Sequence, residues 1–244
     1  MDGDNSEQIE FWNGPHGESW ARHARTMDRL FADLTSAILD AAEVGTGDRV
    51  LDLGCGGGGM LLEIAERVTP IGAVTGIDIS GPMIDVARDR AQEAGLVNAT
   101  VILGDASVFP FGEYAFDAIA SRLGAMFFDD PVETFRSLAP ALDPGGRVAL
   151  GVWREPRENP WAMEPVSAAR EFLDMPPRPG PEEPGPFSFA DPDRVRRILS
   201  DAGFRDVALA PFDFMIPVGR TLDEALEFSM EMGPLSAPLA AVEG

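Results

Sequence analysis

The chain has 244 residues, 45% of them hydrophobic, with 41 acidic against 19 basic side chains and a net charge of −22. That length supports one domain with a full core plus insertions, and no apolar run of roughly 18 residues exists to span a membrane. A phosphate-tracking surface needs clustered Lys and Arg, and the longest basic run is Arg196-Arg197, so nucleic acid and anionic bilayers are excluded as expected partners.

The single cysteine, Cys55, rules out an intrachain disulfide. The start Met1-Asp2-Gly3-Asp4 has neither the basic region nor the apolar stretch of a signal peptide, which predicts a cytoplasmic protein. From 18 to 43, Trp20, Ala24, Met27, Leu30, Phe31 and Leu34 recur at three- and four-residue steps, predicting a helix ended by Gly45 and Gly47. Val50-Leu51-Asp52-Leu53 reads as a strand running into Gly54-Cys55-Gly56-Gly57-Gly58-Gly59, with a helix from Met60 to Arg67 behind it. Glycines let the chain turn sharply and let a ligand approach the backbone. The helix start adds free N–H groups and a partial positive charge. Gly54, Gly56 and Gly59 satisfy the dinucleotide pattern, but a run so rich in glycine fits almost any glycine pattern. Asp52 would face a pyrophosphate unfavourably and suits an amino group or a sulfonium better.

Ala73 to Ile79 reads as the next strand, ending in Asp78 about 20 residues past the turn, where a carboxylate grips ribose hydroxyls; NAD and adenosine fit that acid equally. Ser80 and Pro82 open the following helix. A third strand ends in Gly104-Asp105-Ala106, a fourth covers Phe116 to Arg122, and Asp143-Pro144-Gly145-Gly146 turns into a fifth ending near Leu150. Asp129-Asp130-Pro131 starts the helix between the last two. The alternation of strands and helices predicts a parallel, doubly wound α/β sheet. Prolines are dense from 154 to 189, with a helix expected inside 161–173; a loop of that length in a compact domain reads as a lid or binding element. A helix over 190–203 stopped by Gly203, two strands near 205–211 and 212–218, and a last helix capped by Thr221 and running to about Met232 complete the chain.

Five of these segments, Asp52-Leu53-Gly54-Cys55-Gly56, Gly76-Ile77-Asp78-Ile79-Ser80, Gly104-Asp105-Ala106, Phe116-Asp117 and Leu142-Asp143-Pro144-Gly145-Gly146, lie in one order and spacing over about residues 45 to 153. In that order the chain resembles the class I S-adenosylmethionine (SAM)-dependent methyltransferases. Trp12, Gly17-Glu18-Ser19-Trp20, Ser121 to Phe128 and Pro184 to Phe187 are similar to a bacterial subgroup related to the ubiquinone/menaquinone-biosynthesis type. The resemblance implies a Rossmann-like, doubly wound seven-stranded sheet with a reversed C-terminal β-hairpin. It divides a single domain into N-terminal cover helices (1–44), a SAM-binding core (45–153), a Pro-rich lid insertion after strand five (154–189) and a C-terminal completion of the sheet (190–244). The ending is short for the subgroup, which predicts a truncated C-terminus.

The implied cofactor is SAM, with S-adenosylhomocysteine (SAH) as product. Asp52, Gly54 and Gly56 would hold its methionine end, with Cys55 filling space inside the turn. Asp78 would accept the ribose hydroxyls, Ile79 and Met83 would pack around the adenine, and Gly104, Asp105 and Ala106 would bound it, Asp105 accepting from the amino group. Trp20 and Ser121 complete the cofactor set, and Trp12 either closes over it or packs the cover helix. His16 and His23 are the candidate general bases. Arg122 is a third catalytic candidate, either anchoring an acidic substrate or locking the N-terminal helix by a salt bridge. No metal is expected, because Asp129 and Asp130 lack a third ligand and read as helix caps. Ser121-Arg122-Leu123-Gly124 stands where enzymes acting on exocyclic nitrogens carry Asn/Asp-Pro-Pro-aromatic, and no cysteine is there for cytosine-C5 chemistry. The acceptor is therefore expected to be a small molecule, methylated on O, N or C by a monomer or homodimer. The competing readings are a SAM-binding protein without methyl transfer and an NAD-type oxidoreductase.

Overall fold

A computed structural model of the chain describes residues 5–173, 180–235 and 239. The N-terminal region forms α1 (Ser6–Asn13), α2 (Pro15–Leu30) and α3 (Ala32–Ala41). β1 (Arg49–Leu53), α4 (Gly59–Val68), β2 (Ala73–Asp78), α5 (Gly81–Glu93) and β3 (Ala99–Leu103) follow, then β4 (Phe116–Arg122), α6 (Pro131–Leu138) and β5 (Leu142–Gly151). The chain continues through α7 (Pro160–Ala169), α8 (Pro192–Asp201) and α9 (Leu222–Glu231). The strands pair in the order β3-β2-β1-β4-β5, all in parallel.

Alternation along the strands explains why the sheet is buried on both faces. Val50 of β1 and Ala118 and Ala120 of β4 face one layer, with Leu30, Leu34, Leu39 of α2–α3 and Leu61 and Ile64 of α4. Leu51, Leu53 and Ile119 face the other, with Phe135 and Leu138 of α6 and Ile198 and Leu199 of α8. Helix starts follow the sequence signals. Ser80 accepts from Met83 N, Asp130 from Glu133 N and Thr221 from Glu224 N. Gly203, at φ +97°, lies just past the end of α8.

The expected single helix over 18–43 needs correction. It is two helices, broken at Phe31 (φ −106°, ψ 15°), so that Met27 and Leu30 before the bend and Leu34, Ile38 and Leu39 after it enter one core layer. α1 had no apolar periodicity to announce it, because none of its residues is fully buried. The described residues form a five-stranded parallel sheet. Residues 205–218 run without ladder pairing, although Val207 and Leu209 pack on one core layer and Phe214 and Ile216 on the other. Pro211 and Pro217 have no N–H to give to a ladder. No helix among the described residues is long and apolar enough to cross a membrane.

Candidate functional site

A cavity of about 770 Å³ is lined by residues that end or follow all five strands, among them Asp52, Asp78, Gly104, Arg122 and Trp153. The order of the strands reverses between β1 and β4, and open α/β sheets place ligands at that point, outside the carboxyl ends of the strands. Gly54 sits at φ +70°, and a Cβ on it would lie 3.0 Å from the Cα of Gly124, so the loops after β1 and β4 touch backbone to backbone. At Gly56, φ +51°, a Cβ would meet the Met83 side chain at 2.7 Å. The positive φ strains a larger residue at both positions, and at Gly54 the facing backbone also leaves it no room, whereas the Met83 methyl can move away from Gly56.

Asp52 is fully buried, and neither carboxylate oxygen has a partner in full hydrogen-bonding geometry, although the Leu61 N–H of α4 comes close enough to favour its charged form. Burial pushes its pKa up to about 7; the Arg122 charge opposes that rise, and the Asp78 and Asp28 charges add to it. A bare, desolvated carboxylate is costly unless a cation or donor reaches it. Asp78 accepts from Gly56 N (2.8 Å) and Ser80 N (2.9 Å), so it fixes the glycine turn as well as facing the cavity. Burial raises its pKa, and these backbone N–H groups hold it back. Cys55 is buried against Gly76, and burial pushes its thiol well up, which removes it as a nucleophile and leaves the space-filling role.

Ile79, Met83, Gly104 and Ala106 line the cavity as expected. Asp105 does not. Its Oδ1 accepts from Ser107 N (2.9 Å) and Ser107 Oγ (2.7 Å), and its Oδ2 accepts from Asn5 Nδ2 (3.0 Å). Ser121 is also absent from the wall: it is fully buried and its hydroxyl donates to Leu53 O (2.7 Å), tying β4 to β1.

The three catalytic candidates separate. Arg122 lines the cavity, but donates to Asp28 Oδ1 and Thr35 Oγ1 (2.9 Å each) and lies 5.8 Å over the Phe31 ring. It locks α2 and α3 onto the sheet. Asp28 also receives Arg90 Nη2 at 2.5 Å. His23 is not in the cavity wall; its Nδ1 lies 2.9 Å from Ser19 O and its Nε2 2.7 Å from Glu231, joining α2 to α9. His16 does line the cavity, among Phe11 (4.4 Å between ring centroids), Trp12 (5.0 Å) and Trp20 (6.1 Å). Burial lowers its pKa to about 4, so its imidazole is neutral at pH 7. Trp12 also meets Phe127 edge-on at 5.2 Å, and Trp20 Nε1 is buried without a partner. Phe31, Met126, Trp153, Trp161 and Phe187 extend the wall as an apolar chamber, to which α9 adds Phe228. Sequence reasoning missed Asn5, Asp28 and the contribution of α9. Asp130 caps α6, and the described residues hold no cluster of three or more His, Cys, Asp or Glu fit for a metal.

Residues 50–146 match a protein-family model described as a methyltransferase domain. That segment is similar to methyltransferase domains. Across 137 residues the chain is 37% identical to aklanonic acid methyltransferase of a Streptomyces species, covering 54% of this chain and 62% of that protein. Over 115 residues it is 34% identical to demethylmenaquinone methyltransferase of Listeria welshimeri, covering 47% of this chain and 49% of that protein. The chain thus spans less than two thirds of these curated relatives. A crystal structure of a SAM-dependent methyltransferase from Aquifex aeolicus shares the fold, with a TM-score of 0.50 at 19% identity, covering 82% of this chain and 88% of that one. All the motif residues from Asp52 to Gly146 fall inside the matched methyltransferase segment, whereas His16, Trp20 and the 154–189 insertion lie outside it.

Proposed function

We propose that this chain transfers the methyl group of SAM to a small, largely apolar acceptor and releases SAH. The observation that carries the proposal is the buried, unpartnered Asp52 carboxylate, set beside Asp78 and the glycine turn in one cavity with an aromatic chamber. The residues present fit SAM. Asp52 suits its cationic methionine end, Asp78 has capacity left for ribose hydroxyls, and Ile79, Met83, Gly104 and Ala106 offer an apolar adenine site. When bound, SAM supplies an already electrophilic methyl group. The protein's part is alignment of donor and acceptor, which is worth several kcal/mol of barrier, and exclusion of water by Trp12, Trp20 and Phe127. His16 is neutral at pH 7, and we assign it to accept the proton that an oxygen acceptor gives up on methylation; at about 4 its pKa is too low to take one from an ammonium. The relatives named for aklanonic acid and demethylmenaquinone support a small organic acceptor. The domain division follows: 45–153 binds SAM, while 1–44 and 154–189 wall the acceptor chamber, with positions 1–4 and 174–179 lying outside the described residues. Residues 205–218, whose side chains already divide between the two layers, are assigned to the last two strands of a seven-stranded sheet.

The test is titration calorimetry with SAM, SAH and NADH, then transfer of labelled methyl from SAM to fractionated bacterial small molecules. SAM and SAH should bind and NADH should not, and one fraction should acquire label. His16→Phe, which keeps a ring in the wall, should retain SAH affinity while kcat falls by about 100-fold or more. NADH binding, or SAM binding with no labelled product from any fraction, sinks the proposal.

A further inference from the structure

α1 is fastened to the loops that follow β2 and β3. Ser80 Oγ donates to Trp12 O (2.7 Å), Asn13 Nδ2 donates to Ile79 O (2.9 Å), and Asn13 Oδ1 accepts from Gly81 N (2.9 Å). The fourth contact is Asn5 Nδ2 donating to Asp105 Oδ2 (3.0 Å). That bond fixes which way the amide faces: the nitrogen must point at the carboxylate, so the oxygen points away from it. Asn5 is 8% exposed, it lines the cavity, and its Oδ1 is shut from solvent with no partner. Ile79, Gly104 and Ala106 line the same cavity, and the last two flank Asp105, its bonded partner, in sequence. A buried acceptor left bare is destabilising, and a ligand N–H that reached it would remove that cost. Asp105, the acid that the sequence offers for this task, is already occupied by three donors and stands behind Asn5 rather than in the wall.

We infer that Asn5, held in place by Asp105, reads the exocyclic amino group of the adenine, so that recognition of the base is carried by the N-terminal segment rather than by the sheet. The inference rests on the cofactor reading above and adds to it a residue that selects the base. Asp105 is then a positioning residue: it orients the Asn5 amide and does not touch the ligand. The arrangement also joins two events. The base is read only when α1 is seated on the loops after β2 and β3, because the amide oxygen is carried by that helix.

The test compares SAH with S-inosylhomocysteine, in which the adenine amino group is replaced by a carbonyl, so that a donor becomes an acceptor. Wild-type protein should prefer SAH by about 10- to 100-fold in titration calorimetry. In Asn5→Ala the preference should shrink to within about threefold, chiefly through weaker SAH binding. The side chain of Asn5 makes no capping bond to α1, so this truncation leaves the helix start intact, and an unchanged circular dichroism spectrum confirms that the fold is kept. Asp105→Asn retains an oxygen that accepts from Asn5, so it should keep the wild-type preference. A preference that survives in Asn5→Ala, or wild-type protein that binds both compounds equally, overturns the assignment of Asn5 alone. Wild-type protein that binds neither overturns the cofactor reading and this inference with it.

Discussion

Asp52 carries the clearest pH signature. Its pKa is raised from 3.8 to about 7, chiefly by burial, so near pH 7 the unliganded protein holds a proton there that the unfolded chain has lost. The stabilisation from that proton is complete below about pH 4 and is lost as pH rises through about 7. Binding has the opposite dependence. A ligand ammonium or sulfonium beside Asp52 favours the carboxylate and expels the proton, so SAH affinity should rise by up to tenfold per unit as pH approaches about 7, then level off. His16, at about 4, has finished titrating below this range. Calorimetry in buffers of different ionisation enthalpy should count close to one released proton at pH 6 and none in Asp52→Asn, whose affinity should be flat with pH. A flat wild-type profile would show that no cation docks at Asp52. The acid itself was legible in the sequence, because a carboxylate two residues before the first glycine is anomalous for a pyrophosphate site. Its isolation was not, since that depends on Asp28 turning both Arg90 and Arg122 toward itself from 62 and 94 residues away.

The elements divide by how much of their stability is local. The five strands could be read from the chain because each is a short apolar run closed by a turn signal, and the caps Ser80, Asp130 and Thr221 because capping acts within three residues. The bend at Phe31 escaped because both helices continue one apolar stripe, and only the curvature of the core decides where it breaks. α1 escaped for a different reason. None of its residues is fully buried, and it is held by polar contacts of Trp12 and Asn13 to Ile79, Ser80 and Gly81, by Asn5 before it on Asp105, and by Trp12 against Phe127, all far along the chain. Deleting residues 1–13 should therefore leave the core folded, since the buried apolar side chains of this region begin with Ala24 and Met27 of α2. SAH should bind at least about tenfold more weakly, the equivalent of one or two lost hydrogen bonds to the ligand, while the melting temperature of the unliganded protein moves by only a few degrees. Full SAH affinity in the truncated protein would detach α1 from the site.

At the scale of the whole molecule the dominant quantity is charge. With 41 acidic and 19 basic side chains, all of the latter arginine, negative charge exceeds positive by 22. Many of the pairs that do form are exposed, such as Arg25–Glu93 and Arg196–Asp193, and exposed pairs contribute little. The partly buried Asp28–Arg90 and Asp28–Arg122 pairs are the exception, and salt screens such sheltered pairs less. Two effects of salt then oppose each other. Screening weakens the surface pairs, which destabilises slightly, and it weakens the repulsion among unpaired carboxylates, which stabilises the compact state. Because unpaired acids outnumber the pairs that salt can break, the second effect should win. Raising sodium chloride from about 0.05 M to about 1 M at pH 7.5 should raise the melting temperature, by roughly 2–4 °C for each kcal/mol of repulsion removed in a chain of this size. The gain should come mostly below about 0.3 M, where the Debye length changes fastest. Calorimetric scans across that series decide it: a melting temperature that stays level or falls with salt would mean that the ion pairs, Asp28 with its two arginines foremost, outweigh the surplus of negative charge.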